Sequence, residues 1–279
     1  MDTSIIEIYH DKLKDLVGSD FEKELLEASL KNLLDSDNKL RFNNFACGIR
    51  ELSRHVLSRL APDDEILKCG WYKNETGKVG QTSRGEKVKY AIQAGLPDEF
   101  LETFFDVEDY KYEVLQAINL LNKYTHVNKD TFAIPESEVD ELSEIVVEAY
   151  SGLVKAIIDC RRNLKSELEE HISEALLEHT IYESIDDIDI LSTHHNVEEV
   201  YVSEYHISEL GSTQLLLEVD GSIDVRQQYG SNSDLANDIG FEWNSSFPFS
   251  SKVTMKFTAE FPKNADVDKF DVNTDSWYE

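Results

Sequence analysis

Apolar residues recur every three or four positions between Phe42 and Leu60, and this spacing predicts one long amphipathic helix. The apolar stripe consists of Phe42, Phe45, Ile49, Leu52, Val56 and Leu60. Arg50 and Arg54 lie one helical turn apart on one flank of the stripe, and His55 and Arg59 lie one turn apart on the other. The pattern therefore predicts a buried helix face with basic or titratable groups along its rim.

Helical spacing also dominates the rest of the chain up to about residue 190. It predicts helices within residues 4–34, 87–93, 97–105, 112–123 and 136–177. Ser19 followed by Glu22 matches a capping box, which marks a helix start. Pro62 ends the central helix because proline cannot continue the hydrogen-bond ladder.

After Leu191 the pattern changes to short β-rich runs, at residues 200–202, 215–217, 223–225 and 252–261. Gly211-Ser212 and Asp220-Gly221 separate these runs, and the second pair predicts a hairpin turn. The fold class is therefore α+β, with a mainly helical N-terminal bundle followed by a small antiparallel sheet domain. We predict a helical domain over residues 1–190, a β domain over 191–262 and a mobile acidic tail over 263–279.

Charge limits the classes of partner. The chain has 56 acidic and 27 basic residues and a formal net charge of -29. A general electrostatic attraction to nucleic acid or to anionic membranes is therefore disfavoured, and any such contact must be local. Because three cysteines cannot all form disulfides with one another, we predict free thiols in a reducing compartment. The first residues do not resemble a secretory leader and no stretch is long enough to span a membrane, so we expect a cytoplasmic protein.

One segment departs from the acidic trend. Residues 68–89 contain six basic and two acidic residues, giving a local charge of +4. This segment reads as a long exposed loop, and its candidate nucleic-acid-binding residues are Trp71, Tyr72, Lys73, Lys78 and Arg84. Exposed rings can stack on unpaired bases while the basic groups meet phosphates. The alternative is that both rings pin the loop to the domain and the basic groups only balance acids elsewhere.

Metal-independent RNA cleavage needs a base for the ribose 2'-hydroxyl, an acid for the leaving oxygen and a cation for the charge on phosphate. Arg50 could hold the phosphate, with Arg54 as a second ligand. Asn122 and His126 share a face if their helix continues that far, and a histidine there could transfer protons. In the alternative interpretation the arginines pair with acids and His126 caps helix carbonyls.

Metal-dependent chemistry has less support in the sequence. The Glu-x-Lys triplet of restriction-type nucleases does not occur in the chain. His194, His195 and His206 could bind zinc, but adjacent histidines rarely both ligate, and a polar linker explains them better. There is no phosphate-binding loop and no dinucleotide fingerprint. We therefore predict neither a metal site nor a cofactor.

Several segments resemble a known family. RFNNFACGIRELSRHVLSRLAP, the WYKNETG loop, AINLLNKYTHV, QQYGSNSD and SFPF resemble a bacterial family of predicted nucleases associated with PIWI-related proteins. The N-terminal helices also resemble the HEPN superfamily, in which many members cut RNA through an arginine and a histidine spaced as Arg50 and His55 are. The LNKYTHV segment is similar to a second HEPN motif but has Leu121 in place of its arginine, which fits an inactive or composite site.

The resemblance implies a ribonuclease that acts in defence against phage or mobile elements, with Arg50, His55, Asn122 and His126 as its catalytic residues. It also implies a homodimer, because HEPN-type sites commonly form across two copies. The alternative is a non-catalytic adaptor that binds nucleic acid or protein. From Ile190 onward the chain has 16 acidic and five basic residues. This acidic excess favours a basic partner, such as another protein of a defence system.

Overall fold

The computed structural model describes residues 3–277. Its helices are α1 Thr3–Leu13, α2 Asp20–Leu34, α3 Arg41–Leu60, α4 Asp63–Ile66, α5 Arg84–Gln93, α6 Asp98–Leu101, α7 Glu108–Tyr124, α8 Glu136–Tyr182, α9 Asp186–Asp189 and α10 Asn232–Ala236. Its strands are β1 His194–Leu210, β2 Gln214–Tyr229, β3 Phe241–Lys256 and β4 Ala265–Val272. The chain divides into two units, one up to residue 163 and one from residue 164 onward. The predicted α+β class is confirmed.

The first unit is built around α3. Its apolar stripe is buried almost completely, from Phe42 to Val56, and α2, α5 and α7 pack against it. The helix ends at Leu60, directly before Ala61 and Pro62, as predicted. The stripe has no charged member, so the arginines of α3 are forced to its flanks, where they meet solvent or other helices.

One flank of α3 is locked to the start of α2. Arg59 donates from Nε and Nη2 to the Glu22 carboxylate at 3.0–3.2 Å, and the Gly18 amide donates to the same carboxylate at 2.7 Å. Burial would raise the pKa of Glu22, but these hydrogen bonds outweigh it and lower the pKa below its usual 4.5. Ser19 caps α2 by accepting from the Glu22 amide. Arg59 is therefore part of the architecture.

The second unit contains the last part of α8 and one antiparallel sheet of order β1-β2-β3-β4. Alternate residues of β2 and β3 are buried on one face of the sheet. The buried residues of α8 in this unit follow helical spacing at Leu164, Leu168, Ile172 and Leu176. The Tyr205 hydroxyl of β1 donates to the Lys165 carbonyl of α8, which joins helix and sheet.

The structure corrects three details of the predicted organisation. Asp220 and Gly221 do not form a hairpin turn, because both lie inside β2 and pair with β1 and β3. Residues 265–272 form β4 where we expected a mobile tail. The second part of the predicted loop 68–89 is helical, because α5 begins at Arg84. The two units divide inside α8, after residue 163.

None of the described helices is both long enough and apolar enough to cross a bilayer.

Candidate functional site

A groove on the first unit brings together three of its unburied arginines. The groove encloses about 220 Å³ and is formed by α3, α5 and α7. Its lining residues are Arg50, Glu51, Ser53, Arg54, Leu57, Ser58, Arg84, Lys87 and Ile118. Four of them are basic and one is acidic, in a chain whose net charge is -29. We call this feature the arginine groove.

Local structure places each cation. Arg50 and Arg54 are one turn apart on α3 and flank its buried stripe, so both project along the same side of the helix. Arg84 is the first residue of α5, whose start is fixed by a capping box between Ser83 and Glu86. Ser83 accepts from the Glu86 amide at 3.0 Å. Two rigid helices therefore hold the three guanidinium groups.

The cations differ in how they are neutralised. Arg54 donates from Nε to Glu51 at 2.9 Å, and Arg50 lies 3.8 Å from the same carboxylate. Lys87 pairs with Asp63 at 2.7 Å and is largely buried, so it serves the fold. No ion pair joins Arg84 to any residue that the structure describes. The groove therefore has an excess of positive charge that an anion can neutralise.

One lining residue of the groove, Ser53, belongs to a buried hydroxyl pair with Tyr150. Ser53 donates to the Ile49 carbonyl at 2.6 Å, so it accepts from the Tyr150 hydroxyl, which lies within hydrogen-bond distance. Burial raises the pKa of Tyr150 to about 12. Tyr150 therefore keeps its proton at neutral pH and holds the Ser53 side chain in place.

His55 adjoins the groove through Arg54. Its Nε2 atom lies 3.1 Å from Nη2 of Arg54, and its ring packs edge-on against Phe21 of α2 with centroids 5.0 Å apart. Arginine can only donate, so Nε2 of His55 is the acceptor in this contact. A neutral imidazole beside a guanidinium can accept a proton close to a bound phosphate.

Asn122 and His126 do not line the arginine groove. Helix α7 ends at Tyr124, so His126 is an exposed residue of the following turn and does not share a helix face with Asn122, which corrects the prediction. The Tyr124 carbonyl accepts from the Asn43 amide at 2.8 Å, so the end of α7 lies beside the start of α3. Asn43 precedes Arg50 by seven residues, a distance of about 10 Å along a helix.

The basic loop is less exposed than predicted. Trp71 is only 8% exposed, its Nε1 donates to the Ala94 carbonyl at 2.8 Å, and the Lys89 ammonium lies 4.8 Å from its ring centroid. The ring therefore pins the loop, and the expectation of an exposed Trp71 was wrong. Tyr72 is half-buried, whereas Lys73 and Lys78 are exposed. Of the candidate binding residues, the groove brings together Arg54 and Arg84.

Replacing Trp71 with phenylalanine tests this structural role. The change keeps most of the ring but leaves the buried Ala94 carbonyl without its indole donor. We expect the free energy of unfolding to fall by about 1–2 kcal/mol in urea denaturation. The control is Tyr72→Phe, which removes a hydroxyl from a half-buried neighbouring ring and should change stability by less than about 0.5 kcal/mol. Equal effects of the two changes would contradict the role assigned to the indole hydrogen bond.

Some groove residues were not singled out by the sequence. Glu51, Ser53 and Lys87 lie three residues from Arg54, Arg50 and Arg84 respectively, so helical spacing could have placed them on the same faces. Tyr150 follows 97 residues after Ser53, and no local signal connects them. Two of the candidate zinc histidines contact carboxylates: His195 lies 3.2 Å from Asp189, and His206 lies 3.0 Å from Glu218. Within residues 3–277, no group of three or more potential ligands is placed to hold a metal ion.

Comparison with known proteins places these features in a family. Two family models, both described as predicted pPIWI-associating nuclease, match residues 14–150 and residues 157–278. The matches follow each other along the chain, together span most of it, and the first includes every residue that lines the arginine groove. Comparisons with curated proteins and with solved structures gave no match. The chain belongs to the predicted pPIWI-associating nucleases and carries both domains of that family in order.

Proposed function

We propose that the arginine groove binds the phosphate backbone of RNA and that the chain is a metal-independent ribonuclease. The observation that carries this proposal is the convergence of Arg50, Arg54 and Arg84 on one groove with a single carboxylate, in a strongly acidic chain. Guanidinium groups bind phosphate oxygens with two parallel hydrogen bonds and keep their charge at any physiological pH. The family description, predicted nuclease, supports the same assignment.

In the proposed reaction a phosphodiester lies along the groove. Arg50 and Arg84 hold its oxygens, and Arg54 moves from Glu51 to the phosphate as charge develops there. His55 accepts the proton of the 2'-hydroxyl, and that oxygen attacks phosphorus. The bond from phosphorus to the 5'-oxygen breaks, and a cyclic 2',3'-phosphate remains. The chain's own residues thus supply the base and the cations.

The 5'-oxygen leaves with a proton, and we assign that proton to His126, with Asn122 as its orienting partner. Since neither residue lines the groove of its own chain, a second copy of the chain would supply both. A homodimer of HEPN-like character would then carry two composite sites. A site shared between two copies also fits the presence of Leu121 at the position where the HEPN motif has an arginine.

The wider role that we propose is defence against phage or mobile elements, together with a pPIWI protein. The support for the association is the description of the matched family, which names it for both domains. The exposed residues Lys73 and Lys78 could extend the contact with RNA beyond the groove.

Cleavage of labelled RNA in EDTA tests the groove. Arg54→Ala should reduce the cleavage rate roughly tenfold or more, because one phosphate ligand of the transition state is lost. The matched control is Arg162→Ala. Arg162 is also an exposed arginine with an acidic partner three residues away, at 2.8 Å, but it lies outside the groove. Arg162→Ala loses an exposed ion pair, and Arg54→Ala loses an exposed ion pair and its contact with His55. Since all of these contacts lie near the surface, both melting temperatures should stay close to that of the wild type.

Further variants separate the parts of the proposal. His55→Ala and His126→Ala should each abolish most cleavage while RNA binding persists. Mixing the impaired Arg54→Ala and His126→Ala proteins should restore part of the activity, because one composite site of a mixed dimer is intact. Cleavage that requires Mg²⁺ would contradict the metal-independent route. Binding without cleavage in both EDTA and Mg²⁺ would support the adaptor function.

A further inference from the structure

Large apolar side chains are exposed together where β3 begins. Ile239 is 77% exposed, Phe241 56% and Trp243 57%. In the same unit the Tyr229 ring lies beside Phe241, and the Trp277 ring lies beside Tyr229. We call these five residues the aromatic patch. Contiguous exposed apolar groups of this kind are uncommon on monomeric proteins and mark interaction surfaces.

The strand register shows why the patch is apolar. Phe241 pairs with Tyr229 across β2 and β3, and Trp243 pairs with Gln227. Because side chains alternate between the faces of a strand, Phe241 and Trp243 point to the same face as Phe247 and Phe249. Those two residues are buried, at 2% and 4% exposure. The apolar face of the sheet therefore extends beyond the core to Phe241 and Trp243, which the described residues leave exposed.

The patch is held rigidly. The Tyr229 ring stacks on Phe241 with centroids 4.6 Å apart and on Trp277 with centroids 6.4 Å apart. The connection from β2 to β3 is fixed by Gly230, whose φ of +95° suits glycine, and by a capping box at the start of α10. A prearranged set of rings loses little conformational entropy when it binds.

The charges around the patch select the kind of partner. Residues 227–243 contain three acidic residues and no basic one. The preceding Arg226 is already paired with Glu198 at 3.5 Å. A nucleic acid would bring phosphates against these carboxylates, and a second copy of the chain would bring further acidic groups. A protein surface with lysines or arginines around an apolar hollow would be complementary in both respects.

We infer that the aromatic patch is a docking surface for such a basic protein surface, with Phe241 and Trp243 as its anchors. Tryptophan and other aromatic residues at the centre of an interface commonly supply most of its binding energy, while a charged rim sets partner choice. This function is separate from the arginine groove, because the patch belongs to the other unit of the chain.

The experiment uses the full chain and a labelled amphipathic peptide with leucines on one helix face and lysines on the other. Fluorescence anisotropy measures its binding to the wild type and to Phe241→Ser/Trp243→Ser. We expect the double change to weaken binding roughly tenfold or more. Tyr201→Ser is the matched control, since Tyr201 is a 45% exposed ring beside an acidic residue, Glu199, on the opposite face of the sheet. The control should bind like the wild type.

The outcomes separate the possible occupants. A peptide in which glutamates replace the lysines should not bind, and its binding would overturn the role of the acidic rim. Equal binding of the lysine peptide to all three proteins, or no binding at all, would overturn the docking surface. A concentration-dependent dimer that Phe241→Ser/Trp243→Ser abolishes in sedimentation would show that a second copy covers the patch and would also overturn it. Equal melting temperatures of the variants confirm that each is folded.

Discussion

Replacing Gly221 with alanine is expected to lower the free energy of unfolding of the sheet-containing unit by about 3 kcal/mol. The added Cβ would overlap the carbonyl oxygen of Tyr201 and would lie 2.7 Å from two ring atoms of Phe249. The first contact is with backbone, so it can be relieved only if β1 moves away from β2 and their hydrogen bonds are weakened. Urea denaturation followed by hydrogen exchange of β1 and β2 peptides measures the effect.

Gly211→Ala is the control in the same unit. Its Cβ would approach no atom closer than 3.3 Å, at the Gln214 carbonyl oxygen, so a loss below about 1 kcal/mol is expected. Hydrogen exchange in the first unit should be unchanged in both variants. If Gly221→Ala is as stable as Gly211→Ala, the close approach of β1 to β2 at this glycine does not exist.

Gly221 also shows where strand prediction reaches its limit. The pair Asp220-Gly221 is a strong local turn signal, and the sequence around it contains nothing that contradicts a hairpin. The decisive contact comes from Tyr201, 20 residues earlier in the chain, whose carbonyl oxygen occupies the space of a side chain. A glycine that permits a close backbone approach and a glycine that permits a turn look the same in one sequence.

The missed strand β4 has a different cause. An antiparallel strand is recognised by apolar residues at every second position. In β4 the apolar residues are Ala265, Val267, Phe270 and Val272, so the alternation breaks at Asp268. The register shifts at the same place, because Lys252 pairs with Lys269 while Val253 pairs with Val267. The bulge lets both halves keep one face towards the core, but it hides the pattern.

The helical unit was easier to predict because its signals are local. The stripe of α3 fixed the positions of Arg50 and Arg54, and helical spacing placed them side by side. The contribution of Arg84 and the burial of Trp71 depend on how α5 packs, and the indole partner, the Ala94 carbonyl, follows that helix. The distance of His126 from the groove depends on where α7 ends, and element boundaries are the weakest part of sequence reasoning.

Replacing Glu22 with glutamine should lower the free energy of unfolding by about 2–3 kcal/mol at neutral pH. The carboxylate is 3% exposed and accepts hydrogen bonds from Arg59 and the Gly18 amide. Glutamine removes the negative charge and leaves the Arg59 guanidinium unpaired beside the core. Loss of one partner from a fully buried pair costs about 3–5 kcal/mol, and the partial exposure of Arg59 reduces that cost. Urea denaturation at pH 7 measures the difference.

The pH dependence distinguishes the ion pair from a packing effect. The pKa of Glu22 is lowered in the folded protein, so its stabilisation is complete above the usual value of 4.5 and is lost as the pH falls through the folded pKa. The difference between wild type and Glu22→Gln should therefore be constant from pH 7 to pH 5 and shrink below pH 4.5. Glu24→Gln removes the same charge from an exposed position of α2 and should change stability by less than about 0.5 kcal/mol. If the stability difference between wild type and Glu22→Gln is undiminished at pH 3, packing and not the ion pair holds α2 against α3.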